Sequence, residues 1–157
     1  MTPQDIARMT EYFETTHYDA EPEGTTLELD HDPDDGAAAG VLYIAGDNML
    51  LVKRRGGDEA GTWAIPAGRT EEGESPQAAA VREFEEETQH ALQSPLLGPY
   101  SFLNDDGLRF DAFVTTGPAF TPILDHEHEA YRWVPLSGEL PQPLHPGLLK
   151  LFAMLEE

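Results

Sequence analysis

Arg82, Glu83, Glu86 and Glu87 place three acids and one base on little more than one turn of a helix in a chain of 157 residues. On an α-helix, positions i, i+3 and i+4 share a face, so the three carboxylates are expected to point the same way and to repel one another. Arg82 supplies one compensating charge. Three converging carboxylates at this spacing are also the ligand set of a hard divalent cation such as Mg²⁺, which takes oxygen donors and keeps room for waters and phosphates. A Glu-rich helix by itself is more often a solvated face, and the flanking residues decide between the two.

From Gly68 the chain runs a Gly, five residues, Glu74, seven residues, then Arg82-Glu83-Phe84-Glu85-Glu86-Glu87. This resembles the signature of the Nudix hydrolase family: Gly, five residues, Glu, seven residues, Arg-Glu, an aliphatic or aromatic residue, any residue, Glu-Glu, any residue, Gly and a further aliphatic residue. Seven of the nine defined positions match. Gln89 stands in place of the second Gly and His90 in place of the last aliphatic residue. In the family that Gly ends the helix, at a position that often needs a left-handed backbone. Gln89 there costs about 1 kcal/mol relative to Gly, or else the helix runs on through Ala91 and stops nearer Pro95. Neither outcome moves the carboxylates. Ala67 stands where family members commonly carry a Gly ahead of Gly68, which bears on the local loop geometry.

The similarity extends to AAAGVLYIAGDNMLLVKRRGGDEAGTWAIPAG at 37–68 and DHEHEAYRWVPLSGELP at 125–141, and so covers about residues 37–156. It implies an α/β/α sandwich with a mixed sheet, and a metal-dependent pyrophosphohydrolase that cleaves the diphosphate linkage of a nucleoside diphosphate derivative. Nucleoside triphosphates, ADP-ribose, nucleotide sugars and dinucleotides all belong to that class. By position, Glu83, Glu86 and Glu87 with the carbonyl of Gly68 take the family's role of holding Mg²⁺ or Mn²⁺. Arg82 orients those acids, and Glu74 braces the loop. The family draws its general base from different places: Glu83 is one candidate, and Glu127, six residues before Trp133, is another, with Glu129 beside it. For Glu127 an exposed acid in an acidic protein is an equally good reading. A Nudix-fold module that senses a nucleotide without turnover is the alternative function; retention of the acids argues against it.

Lys53, Arg54 and Arg55 are the only basic cluster in the chain. In an otherwise acidic protein they are the obvious phosphate contacts, with Arg54 at the position that best matches the family's substrate arginine. For Lys53 and Arg55 a solvated edge charge is the plainer reading. Trp63, Phe102, Tyr131 and Trp133 could stack on a base, but aromatics in strands are mostly core. Asp105 and Asp106 read as turn residues. His126 and His128 alternate around Glu127, which on a strand puts both on one side and Glu127 on the other; with a carboxylate site already present, imidazole ligation is not expected. His145, just before the last helix, lies where some family members contact the base.

The bulk properties fit one soluble globular domain, with 39% hydrophobic and 25% charged residues and no apolar stretch of membrane-spanning length. Thirty acids against nine Lys and Arg give a net charge of −21, which repels nucleic-acid polymers and anionic membranes. The same charge also suits a salty cytoplasm. Absence of cysteine, and an N-terminus without a signal-type apolar core, lead to the expectation of a cytoplasmic protein that is not exported.

Residues 1–36 are expected to form an N-terminal helix over about 3–16, a candidate dimer element, and an acidic loop with a short strand at 25–29. DHDPDDG at 30–36 lacks the pattern of a calcium loop and reads as a solvated turn. The catalytic domain is expected at 37–157, the whole chain forming one compact unit. Strands are expected at 40–44, 49–53, 97–103, 108–115 and 131–134, and helices from Ser75-Pro76 and over 146–156.

Overall fold

A computed structural model describes residues 37–57, 59–105 and 107–156. The opening apolar run forms β1 (Ala37–Ala45), which turns at Gly46 and Asp47 into β2 (Asn48–Arg54). These two strands pair only beside the turn, Ile44 with Met49 and Ala45 with Asn48. Further along, β2 pairs with the two-residue β3 (Trp63–Ala64) and β1 with β4 (Ala67–Arg69), so the sheet is split between those pairs. β5 (Leu97–Leu103) pairs antiparallel with β6 (Arg109–Thr116), which runs parallel to β1. β7 (His128–Pro135) lies antiparallel along β2.

Helices α1 (Pro76–Thr88) and α2 (Pro146–Leu155) cover the two faces of this seven-stranded mixed sheet, which gives the α/β/α sandwich. Side-chain alternation along β1 shows how. Ala39, Val41 and Tyr43 join Ala79, Ala80 and Phe84 of α1 in one core, while Leu42 and Ile44 join Leu148, Leu151 and Phe152 of α2 in the other. A strand buried on both faces reads as a continuous apolar run, hence AAAGVLYIA. Phe84 is fully buried and sets the rotation of α1 about its axis; losing a buried Phe side chain typically costs about 3–5 kcal/mol.

The N-terminus of α1 follows its sequence signals. Ser75 caps it, its hydroxyl accepting from the Ala78 N–H at 3.1 Å, and Pro76 opens the first turn. At the other end the helix stops at Thr88 and does not run on towards Pro95. Gln89 adopts the left-handed conformation, φ 59° and ψ 29°, and its N–H donates to the Glu85 carbonyl. The His90 ring stacks on Phe120 with centroids 3.7 Å apart and meets Tyr43 and Phe84 edge-on. An imidazole thus fills the place of the expected aliphatic residue by its flat face. Ala67 fits through Gly40, where an added Cβ would lie 2.6 Å from that of Ala67. One missing side chain makes room for the other.

The expected helix over 3–16, the loop and strand within 20–36, and Asp106 lie outside the described residues. β7 starts three residues earlier than expected. The strands β3 and β4 each depend on a distant partner and went unnamed in the sequence. Asp105 sits in the β5–β6 turn, 2.9 Å from Lys150. Among the described residues no helix is long and apolar enough to cross a membrane.

Because a left-handed residue other than Gly is strained by about 1 kcal/mol, Gln89→Gly is expected to raise the unfolding free energy by about that amount. Urea denaturation of parent and variant checks this, and an unchanged or lower midpoint would refute it.

Candidate active site

Arg82 organises the site. Its Nε and Nη2 donate to the two oxygens of Glu74 at 2.8 and 3.0 Å, and Nη2 also donates to the Arg69 carbonyl at 2.9 Å. Nη1 donates to Glu83 at 2.8 Å and to Glu86 at 3.3 Å. The pairing with Glu74 is the bidentate fork that guanidinium geometry favours. The Arg82 hydrogen bond, followed by one from the Glu71 N–H, lowers the Glu74 carboxyl to about 2.

Glu83, Glu86 and Glu87 of α1 do not all face one way. At about 100° per residue, Glu87 falls on one side of Glu83 and Glu86 on the other. Side-chain exposure records this: 13% for Glu83, 1% for Glu87 and 57% for Glu86. Glu86 stays tied to Glu83 through Arg82. The Glu83 carboxylate packs directly on Gly68, in the space that any side chain at 68 would take. That contact, and not backbone conformation, is what demands glycine there.

Glu87 is buried in full. Its Oε1 accepts from the Ala67 N–H at 3.4 Å and lies 3.2 Å from His128 Nε2, while Oε2 is enclosed without a partner. Burial first, then the charges of Glu83 and Asp125, push its carboxyl up to about 10. An enclosed carboxylate with an unpartnered oxygen and like charges beside it fits a cation, which would relieve all three penalties at once. Glu87, Asp125 and His128 bring ligand-type atoms within 4.8 Å of one another and form a metal-ligating cluster.

Asp125 and His128 were not among the residues expected at the site. The alternation applied to His126 and His128 fails because residues 126 and 127 form a turn and β7 begins only at His128. Asp125 Oδ1 accepts from the Glu127 N–H at 3.2 Å, closing that turn. His126 and Glu127 are therefore both exposed, and only His128 points inward. An Asp two residues before the end of a turn was the available signal.

Arg54, Arg55, Gly68, Glu83 and Glu127 line a cleft of about 820 Å³. Lys53, Glu86 and Glu87 are not among its lining residues. Farther along, the cleft is walled by Phe102 and Phe110, stacked with centroids 5.3 Å apart, and by His145. His145 also caps α2, its Nδ1 accepting from the Gly147 N–H at 2.9 Å. Trp63 and Trp133 pack against the two cores, whereas Tyr131 is 38% exposed.

A family model described as the NUDIX domain matches residues 34–155. The chain is 37% identical over 116 residues to a Bacillus subtilis protein named "Putative 8-oxo-dGTP diphosphatase", covering 71% of this chain and 67% of that one. It is 34% identical over 113 residues to an octanoyltransferase of Myxococcus xanthus, which covers 64% of this chain but only 30% of that protein. The chain thus spans less than a third of the transferase. Among solved structures, a MutT NUDIX hydrolase from Burkholderia pseudomallei superposes with a TM-score of 0.62 at 31% identity, covering 77% of this chain and 95% of the other.

Two outcomes follow from this geometry. Gly68→Ala should drive the Glu83 carboxylate from its place and weaken Mn²⁺ binding by about tenfold or more, with circular dichroism unchanged; full retention of affinity would show that the contact is dispensable. Glu74, held at about 2 against an ordinary 4.5, contributes stability that is fully present above about pH 4.5 and lost as pH falls through about 2. The stability gap between parent and Glu74→Gln should therefore be widest above pH 4.5 and close towards pH 2, as thermal melts across that range will report.

Proposed function

The chain belongs to the Nudix family, and from that premise we propose that it is a metal-dependent hydrolase of the diphosphate linkage in a nucleoside diphosphate derivative. The enclosed, unpartnered Oε2 of Glu87 beside an intact set of acids carries this reading. Glu83, Glu86 and Glu87, with the Gly68 carbonyl, are assigned to hold Mg²⁺ or Mn²⁺. Bound there, such a cation would offset phosphate charge and lower the pKa of a water so that hydroxide is available to attack phosphorus. Arg82 keeps Glu83 and Glu86 side by side against their repulsion. Arg54 and Arg55, on the wall of the same cleft, are assigned to the phosphates, and Lys53 to solvent. Glu127, exposed at the cleft and held by a bond from the Arg55 N–H to its carbonyl at 2.9 Å, is the candidate to take the proton of the attacking water.

The cleft volume falls in the range of small-molecule sites, and its Phe102–Phe110 wall suits a flat ring. The identity to the Bacillus subtilis protein makes nucleoside triphosphates the first substrates to test. Residues 37–157 are taken as the catalytic unit, working in the cytoplasm, with 1–36 as an appended segment.

The test is a panel of nucleoside triphosphates, ADP-ribose, nucleotide sugars and dinucleoside polyphosphates with millimolar Mg²⁺ or Mn²⁺. Metal-dependent release of a nucleotide product from at least one member is expected. Glu86→Gln should cut kcat by about a hundredfold or more and, because Glu86 is largely exposed, leave the melting profile in place. Thermal stabilisation by a panel member without turnover of any would reject catalysis in favour of a nucleotide-sensing module.

A further inference from the structure

The roles assigned above leave His128 and Asp125 unused, although His128 is only 6% exposed. Its ring lies between two carboxylates: Nδ1 is 2.9 Å from Asp125 Oδ1, and Nε2 is 3.2 Å from Glu87 Oε1. The two nitrogens of an imidazole point in diverging directions, and each here meets a different acid. Ligand-type atoms of Asp125, His128 and Glu87 lie within 4.8 Å of one another, so a cation held by all three would replace these contacts. While the contacts stand, the imidazole is the middle link of a chain of groups, a role distinct from that of a ligand.

The two oxygens of Glu87 are treated differently by this chain of groups. Oε1 faces both His128 Nε2 and the Ala67 N–H, whereas Oε2 has no partner. One oxygen is anchored and the other is left over. Asp125 in turn is fixed by the Glu127 N–H that donates to it, and the backbone at Glu127 is tied to Arg55. We infer that His128 is a positioning residue: clamped by Asp125, it holds Oε1 of Glu87 so that Oε2 is presented to the cation. The inference rests on the preceding assignment of Glu87 as a metal ligand. A histidine ligand commonly has a carboxylate behind it, and loss of such a support costs about 10- to 100-fold in metal affinity. Here the order is inverted, with the histidine behind the carboxylate. Because the same turn carries Glu127, it also joins the candidate base to the support of the metal ligand.

Substitutions at 128 distinguish positioning from ligation. A Gln amide nitrogen reaches about as far as Nε2 and can take its place against Glu87, whereas that of Asn reaches only as far as Nδ1, towards Asp125. Mn²⁺ affinity, measured by the electron paramagnetic resonance of the free ion, is expected to stay within about threefold of the parent in His128→Gln. It should fall about 10- to 100-fold in His128→Asn and His128→Leu, with melting curves establishing that each variant is folded. If the Leu variant does not fold, the contrast between Gln and Asn decides. Pulsed resonance of the Mn²⁺-loaded parent is expected to show no directly coordinated nitrogen.

Equal losses in the Gln and Asn variants, unchanged affinity in a folded Leu variant, or a nitrogen coupling in the parent that the Leu variant lacks would each overturn the positioning role. Each of these leaves metal binding itself standing. Failure of the parent to bind Mn²⁺ at all would instead remove the assignment of Glu87, and the role of His128 with it.

Discussion

One guanidinium holds the loop after β4 and the later turns of α1 in a single arrangement. Arg82 directs five hydrogen bonds to Glu74, Glu83, Glu86 and the Arg69 carbonyl. That is the full donor capacity of an arginine, a side chain that stays charged at any relevant pH. A lysine would bring one charge and no fork, and could not grip both oxygens of Glu74 while reaching two further acids. The helix carries its acids at this density because their counter-charge is built in, and the position of Gly68 beneath Glu83 follows from the same bracing.

What Arg82 does on the polar side, Phe84 does on the apolar side. Its ring stacks on Tyr43 at 5.4 Å and meets Phe120 and His90 edge-on. Tyr43 hydrogen-bonds the Pro118 carbonyl at 2.8 Å, and Trp133 donates to the Phe120 carbonyl at 3.2 Å. These rings tie α1 to β1, to β7 and to the segment between β6 and β7. A helix fixed at one face by aromatic packing and at the other by a guanidinium has little freedom to rotate, so the angle of each residue around the axis fixes its burial. Glu87 and Glu86, about 100° apart, end up 1% and 57% exposed for that reason.

The parts of this fold that were legible in the sequence are those set by local chemistry. Ser75-Pro76 marks the start of α1, the β5–β6 hairpin follows from Asn104 to Gly107, and the continuous apolar run at 37–45 marks a strand covered on both sides. The residues that stayed hidden are those whose role depends on a partner far along the chain. Nothing near Gly40 says that Ala67 will cross it, and nothing near His128 says that Glu87, forty-one positions earlier, will stop against its ring. The equal orientation expected for the three acids treated a helical face as flat, when a spacing of three and one of four diverge to opposite sides. Ala67 and Gln89 show the reverse case: both departures from the family pattern were visible, and the left-handed end at Gln89 was one of two outcomes expected there, but the compensation of Ala67 by Gly40 was not visible.

The net charge of −21 acquires a local meaning at the cleft. Beyond about 8 Å, salt at physiological strength screens most of that charge, so admission of a phosphorylated ligand is decided by the groups that line the cleft. Arg54, Arg55 and Arg69 attract it, while Glu59, Glu83, Asp105 and Glu127, on the same walls, repel it. Three bases face four acids, and an acid that ligates a cation no longer repels a phosphate. With Glu83 assigned to the metal, affinity for the ligand and occupancy by the metal would be coupled through it, since it touches Gly68, Arg82 and the cleft at once. On the assignment of the metal to these acids, a bound cation would offset the excess of one acid in the lining and so favour a phosphorylated ligand.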